Sequence, residues 1–410
     1  MWVRLAWRNL WRNRLRTMIM LSAMSLGMVG VLLMTGFITG MYGSMVANAI
    51  SWQLGNLQIH NAAFLEEEEL QATLVNPQQI TDYLDASPVV QAWSGRFVVS
   101  GMLASARSTR GIRVNGVVPD REAALTPIAT HIVAGAWLDD AGRNPVVLSQ
   151  KTANRLDLRV GSKVILTFSD NAGEVTGAAF RVRGIYQSPS SALDDTQLFV
   201  RRSDLVKLAD WVGIHEIVIR VVGDSETATQ NTLVVQADVR EIKDASTSVR
   251  DWQTVQPMIA AILNQAGSAS GVMVLIYVLA MAFGIVNIML MSVMERTREF
   301  GVLMAIGMNK RGIMLMVLAE STWLGICGAV LGVFLSALIV LWLGQAGIPL
   351  GDMAEGLGAW GIDTMVYPSV ALEEYVGTAL VVLLACIIAA IYPARTIIKR
   401  TPVEAMAQKI

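Results

Sequence analysis

Four stretches of this sequence, 17–43, 271–294, 313–343 and 372–392, are long, apolar and almost free of charge. Crossing about 30 Å of hydrocarbon takes roughly 20 helical residues, so each can span a bilayer. The first follows Arg4, Arg8, Arg12, Arg14 and Arg16, which invites a comparison with a secretory signal. Its apolar run outlasts the roughly 7 to 15 residues of a signal core and no small-residue cleavage pattern closes it, so it reads as an uncleaved transmembrane helix. The stretch 313–343 exceeds the minimum and is expected to tilt or to project.

Lysine and arginine beside the spans orient the chain. They crowd the N-terminal flank, the insert 295–312 (Arg296, Arg298, Lys310, Arg311) and the tail 393–410 (Arg395, Lys399, Arg400, Lys409), whereas 344–371 has none. The basic segments are therefore expected in the cytoplasm, and 344–371 together with the long segment 44–270 outside. Only 16% of residues are charged and 53% are hydrophobic, against roughly 25% charged in soluble domains. A net charge of -1 gives no reason to expect a nucleic-acid partner. Both cysteines, Cys327 and Cys386, lie in apolar runs, so the external segment must fold without a disulfide.

That segment is punctuated like a folded domain. "GNLQIHNA", "GRFVVSGML", "NPVVLSQ", "SKVILTFSD", "FRVRGIY", "TQLFVRR" and "HEIVIRVVG" read as strands separated by Gly, Asn, Asp and Pro. "NPQQITDYLDA" reads as a helix with Asn76 as N-cap and Pro77 at its first position; "SQKTANRLDL" places Ala153 and Leu156 on one helical face. The expectation is a two-lobed α+β domain, its middle lobe covering roughly 123–206. No turn separates Pro257, Ile259 and Ile262 from the second span, so a stalk helix is expected to run from the domain into the membrane, with "QAGSASG" (265–271) as its loosest point.

The insert "VMERTREFGVLMAIGMNKRGI" carries more than a loop requires. Glu295 and Glu299 lie four apart with Arg298 between them, and Phe300, Val302, Leu303 and Ile306 supply an apolar face up to Gly307. An ordinary positive-inside loop and a short amphipathic helix that lies in the interface or enters a partner's groove both fit the spacing.

The insert resembles the signature of the FtsX/MacB-like ABC transporter permeases, Glu-Arg-x-x-Glu-(Ile or Phe)-Gly-(Ile or Val)-x-x-Ala-(Ile or Leu)-Gly, carried here by Glu295, Arg296, Glu299, Phe300, Gly301, Val302, Ala305, Ile306 and Gly307. "AWRNLWRNRLRT" is similar to the family's amphipathic N-terminal helix (1–16), with Asn9, Leu10, Leu15, Arg16 and Thr17 in place. "YPARTIIKRTPVEAM" is similar to its ending, with Pro393, Ala394, Pro402, Glu404 and Ala405. "VVLSQKTANRLDLRVGSKVILTF" and its neighbours resemble the periplasmic domain shared by MacB-type and Lol-type permeases. The resemblance implies four transmembrane helices plus a MacB-like periplasmic core, a non-catalytic permease in the inner membrane that works as a homo- or heterodimer, and a coupling helix that includes Arg298 and docks on a separate ATPase. Two copies of that ATPase would bind the ATP and Mg. Lipoprotein release toward the outer membrane, with a periplasmic carrier or adaptor, is the first functional reading; efflux of peptides, toxins or drugs and FtsX-like regulation of periplasmic enzymes are the alternatives.

The remaining residues bound the chemistry. The sequence has no G-x-x-x-x-G-K-S/T phosphate loop, so ATP hydrolysis is expected in another chain. His60, His131 and His215 are too scattered for metal ligands and are expected at the surface or half-buried. The acidic run 65–70 reads as a solvated face or a partner contact. Met34, Phe37 and Met41 near the outer end of span one, with Met258 and Ile262 on the stalk, could line an adaptable apolar cleft for lipid or substrate; otherwise they pack or face lipid. Glu320, alone inside a span, needs water or a cation such as Lys310 or Arg311.

Overall fold

The computed structural model describes residues 6–398 except 9, 13, 65–68 and 352–355. Arg4, Asn9, Lys399, Arg400, Pro402, Glu404, Ala405, Lys409 and most of the acidic run therefore lie outside the described residues. The chain divides into two compact units, one of Met1–Met41, Leu263–Pro349 and Met365–Ile410, the other of Tyr42–Ile262 and Leu350–Thr364.

The first unit is built from helices that are long and apolar enough to cross a membrane: Arg14–Leu54, Gly271–Glu295, Lys310–Ala346 and Leu372–Thr396. The third is central. Its small residues let neighbouring backbones approach, which is how helices associate where lipid removes the hydrophobic drive. A Cβ added to Gly328 or Gly332 would lie 2.7 Å or 2.6 Å from the side chains of Met24 or Met28 on the first span, and one on Gly325 would meet Cys386 of the fourth. Ser321 Oγ donates to the Cys386 carbonyl at 2.7 Å. Met24, Met28, Leu32, Leu324, Val382 and Cys386 are buried together, whereas Met18, Met34, Met273 and Met291 are exposed, so the span methionines divide between packing and the outer surface.

The helices outrun the apolar stretches. The α-helix of the first span is Arg14–Ala49 and passes into a π-turn at Ile50–Leu54. The second is one helix from Pro257 to Glu295, with "QAGSASG" helical throughout; its 39 residues make about 58 Å, nearly twice a hydrocarbon core.

The second unit is a mixed α+β domain around ten strands: β1 (Leu57–Asn61), β2 (Val90–Ala104), β3 (Thr109–Val117), β4 (Ile132–Gly135), β5 (Pro145–Ser149), β6 (Lys163–Ser169), β7 (Val175–Tyr186), β8 (Gln197–Arg201), β9 (Glu216–Val221) and β10 (Thr247–Asp251). Their order is β10-β1-β9-β2-β3-β8-β5-β7-β4, with β6 between β2 and β7; β3–β8 and β5–β7 are parallel. Every stretch read as a strand from the sequence lies in this sheet.

Fifteen-residue β2 makes the two lobes. Up to Arg96 it pairs with β9, and from Phe97 onward with β3. The first lobe packs Leu57, Ile59, Ile217 and Ile219 against helices Pro77–Ala86 and Ser225–Ile242 through Ile80, Leu84, Val235 and Val239. The second packs Phe97, Val114, Leu166, Phe180 and Leu198 around helix Gln150–Leu156, whose Ser149 Oγ accepts from the Thr152 amide. Its core runs from Phe97 to Ala209, so it begins well before residue 123. A strand that changes partner without turning carries no punctuation in sequence, so this boundary has no local signal.

Candidate functional site

The charged insert folds as the helix Thr297–Ala305. It ends in a Schellman motif: Gly307, at φ 101°, donates to the Met304 carbonyl and Met308 to the Leu303 carbonyl. Asn309 then caps the third span, its Oδ1 accepting from the Gly312 amide at 2.8 Å. Two helices thus meet at a turn of fixed geometry.

The motif residues divide between two faces. Thr297, Phe300 and Gly301 are buried, and Phe300 belongs to the core of the span bundle. Arg298, Val302, Ala305 and Ile306 are exposed, Ile306 to 80%. Phe300 therefore does not share one outward apolar face with Val302 and Ile306; it anchors the helix while those two remain on the surface.

Charges bind the helix to its surroundings. Arg296 Nε lies 3.1 Å from Glu299 Oε2, and its Nη1 lies 2.9 Å from Glu320 Oε2. Arg12 holds Glu299 Oε1 at 2.5 Å and Arg16 pairs with Glu295. Burial opposes the Glu299 charge, but hydrogen bonds from Arg12 and Arg296 outweigh it and hold the carboxyl below its ordinary range. Arg296 also lies over the Phe300 ring, 5.3 Å from its centroid. Glu320, expected to reach water, Lys310 or Arg311, is instead matched by Arg296, because the insert helix folds back across the start of span three. A lone buried acid signals that some cation is near; nothing in local spacing says which.

Of the apolar cleft residues, Met34, Phe37 and Met41 fall in the first compact unit and Met258 and Ile262 in the second. Within the second unit Met258 lines a largely apolar cavity of about 190 Å³ with Met45, Trp52, Leu193, Ile259 and Trp360. The side chain of Asn48 fixes one rim by donating to the Gly361 carbonyl at 2.9 Å and to Asp363 Oδ1 at 3.0 Å.

The histidines correct another expectation. His131 is exposed, but His60 and His215 are buried, and the Phe64 ring stacks on theirs at 6.2 Å and 4.7 Å. His215 Nδ1 accepts from the Val98 amide. Burial drives the His60 pKa down to about 4, the pull of Glu216 being countered by Arg113, Arg250 and Arg96. Among the described residues no group of His, Cys, Asp and Glu could hold a metal.

A buried network at the point where β2 changes partner was invisible in the sequence. Arg96, 2% exposed, donates to Glu122 at 2.6 Å and 3.1 Å, to Glu216 at 3.1 Å and to the Gln53 carbonyl at 3.1 Å. Burial opposes its charge, yet the two carboxylates raise its pKa. Arg113 supports Glu216 from the far side at 3.0 Å, and the Glu216 carboxyl, despite its burial, falls to about 2 under Arg113 and Arg96.

Comparison with known proteins matches a family model described as FtsX-like permease C-terminal to residues 271–402 and one described as MacB-like periplasmic core domain to 17–251. An uncharacterized ABC transporter permease of Methanocaldococcus jannaschii is 25% identical over 279 residues, 67% of this chain and 65% of that one. The lipoprotein-releasing system transmembrane protein LolC of Neisseria meningitidis is 23% identical over 322 residues, 74% of this chain and 75% of its own. The macrolide export ATP-binding/permease protein MacB of Campylobacter jejuni is 31% identical over 167 residues, 39% of this chain; the match spans only 26% of that longer protein.

Proposed function

Because this chain belongs to the family of FtsX-like ABC transporter permeases with a MacB-like periplasmic core domain, we propose that it is the membrane subunit of an inner-membrane transporter whose ATPase is a separate chain. The insert helix would be the docking element: its buried Thr297, Phe300 and Gly301 hold it to the bundle while Arg298, Val302, Ala305 and Ile306 stay on the surface. Two ATPase copies would bind ATP and Mg and two permease copies would form the membrane dimer. Docking predicts that Ile306→Glu, which puts a charge on the exposed apolar face, reduces copurification of the coexpressed ATPase. Full copurification would refute the assignment.

For the cargo, lipoprotein release is favoured by the apolar cavity of the periplasmic domain, since Met45, Trp52, Met258, Ile259 and Trp360 suit an amphiphile better than a strongly polar molecule. Its flexible methionines accept varied apolar shapes. The extent of the LolC match, 75% of that protein, points the same way; the MacB match keeps efflux of peptides, toxins or drugs as the second reading. Mass spectrometry of molecules copurified with the nucleotide-free complex separates them: acylated proteins support the first, small molecules or peptides the second. A periplasmic carrier or adaptor would receive the cargo.

A further inference from the structure

The ion pairs at the Arg-rich end form a graded set. Arg12, Arg16 and Arg296 face Glu295, Glu299 and Glu320, three charges of each sign. The outer pair Arg12–Glu299 is 56% and 45% exposed, whereas Arg296 and Glu320 are only 12% and 11% exposed. Exposed pairs contribute little, while losing one partner of an enclosed pair leaves a stranded charge. The inner pair therefore controls the set. It joins the insert helix to the third span, and through Glu299 it reaches Arg12 ahead of the first span, while Arg16–Glu295 ties that same segment to the end of the second. A cavity of about 220 Å³ lined by Arg16, Glu295, Arg296 and Glu320 lies alongside. It gives the guanidiniums room to change partners without repacking the bundle, the kind of discrete rearrangement that switching elements use.

We propose that Arg296 and Glu320 are positioning residues of the transport cycle, forming an internal latch that makes the insert helix move as one body with the inner ends of the first three spans. The division of labour in the motif follows: Arg296, Glu299, Phe300 and Gly301 grip the chain's own bundle, and the exposed Arg298, Val302, Ala305 and Ile306 face the ATPase. The latch deepens the docking reading and rests on it, because a push on the helix needs a source.

The test uses the full chain with its coexpressed ATPase in lipid nanodiscs, both cysteines replaced, and spin labels at Leu15→Cys and Met304→Cys, the latter on the insert helix but off the face given to the ATPase. With the latch intact, the label distance is narrowly distributed both without nucleotide and with ATP and vanadate. Glu320→Gln should broaden it and lower the occupancy of the latched distance about tenfold, the equivalent of one charge-assisted hydrogen bond, while ATPase copurification stays unchanged. E320R, which sets two guanidiniums together, should do the same, and Glu320→Asp, which keeps the charge, should retain the latched distance that Glu320→Gln loses, a difference that a merely space-filling role would not give. An unchanged distribution in Glu320→Gln, loss of ATPase binding in that variant, or a Glu320→Asp distribution as broad as that of Glu320→Gln would each overturn the latch. Failure of Ile306→Glu to weaken ATPase binding would instead remove the docking reading, leaving the distance measurement to judge the latch by itself.

Discussion

At the scale of single residues the periplasmic domain carries two responses to acid of the same sign, each losing stability as pH falls. His60 has its pKa lowered by burial from 6.5 to about 4, so the unfolded chain binds more protons between those values. Its contribution is complete above pH 6.5 and is lost as pH falls to 4, with a slope of up to about 1.4 kcal/mol per pH unit. Glu216, lowered from 4.5 to about 2, loses its contribution from pH 4.5 downward. His60→Gln is therefore expected to flatten the pH dependence of the domain's unfolding midpoint between pH 6.5 and 4 and leave the drop below 4.5; an unaltered slope would show that His60 does not cause it. Arg96 makes a sharper demand. Glu122→Gln halves its compensation inside a fully buried network and is expected to cost about 3–5 kcal/mol, read as a fall in thermal midpoint. These roles were not legible in sequence: His60 and His215 are read as unremarkable because the ring that stacks on both, Phe64, comes from a third position, and Arg96 meets Glu216 from 120 residues away.

Elements were read well wherever their signal is local. Asn76–Pro77 marks a helix start, although the Asn76 side chain makes no capping bond, and the insert has the length and charge of a short helix. What periodicity did not reveal was which face of each element is covered. The glycines show the difference. Gly267 and Gly271 have open space where a Cβ would sit, whereas Gly332 has Met28 against it. Gly267→Ala and Gly271→Ala should each stabilise helix Pro257–Glu295 by about 1 kcal/mol, leaving transport intact. Gly332→Val should separate the first and third spans, lower the thermal midpoint in detergent and reduce folded yield. A Gly332→Val protein as stable as the parent would refute the close packing of these spans.

For the whole molecule, the unbroken helix Pro257–Glu295 has residues in both compact units, and on the proposed transporter reading it is the candidate path for force from a partner ATPase. Four flexible residues inserted after Ser268 are expected to leave ATP hydrolysis running while cargo release stops; normal release would show that motion takes another route. Segment 44–250 is expected to fold by itself, since its two cores draw only on residues of the second unit; uniformly unprotected amides in that segment would contradict this. By itself the sequence determined the apolar spans, the strand-rich domain and the charged insert. Each follows from transfer energy, charge asymmetry or alternation, all properties of contiguous residues. Only the tertiary structure decided that β2 changes partners at Arg96, that Phe300 faces inward while Ile306 faces out, and that Arg296 neutralises Glu320 24 positions away. Such pairings join residues from different elements, and their energy depends on burial and distance that exist only once the chain has packed.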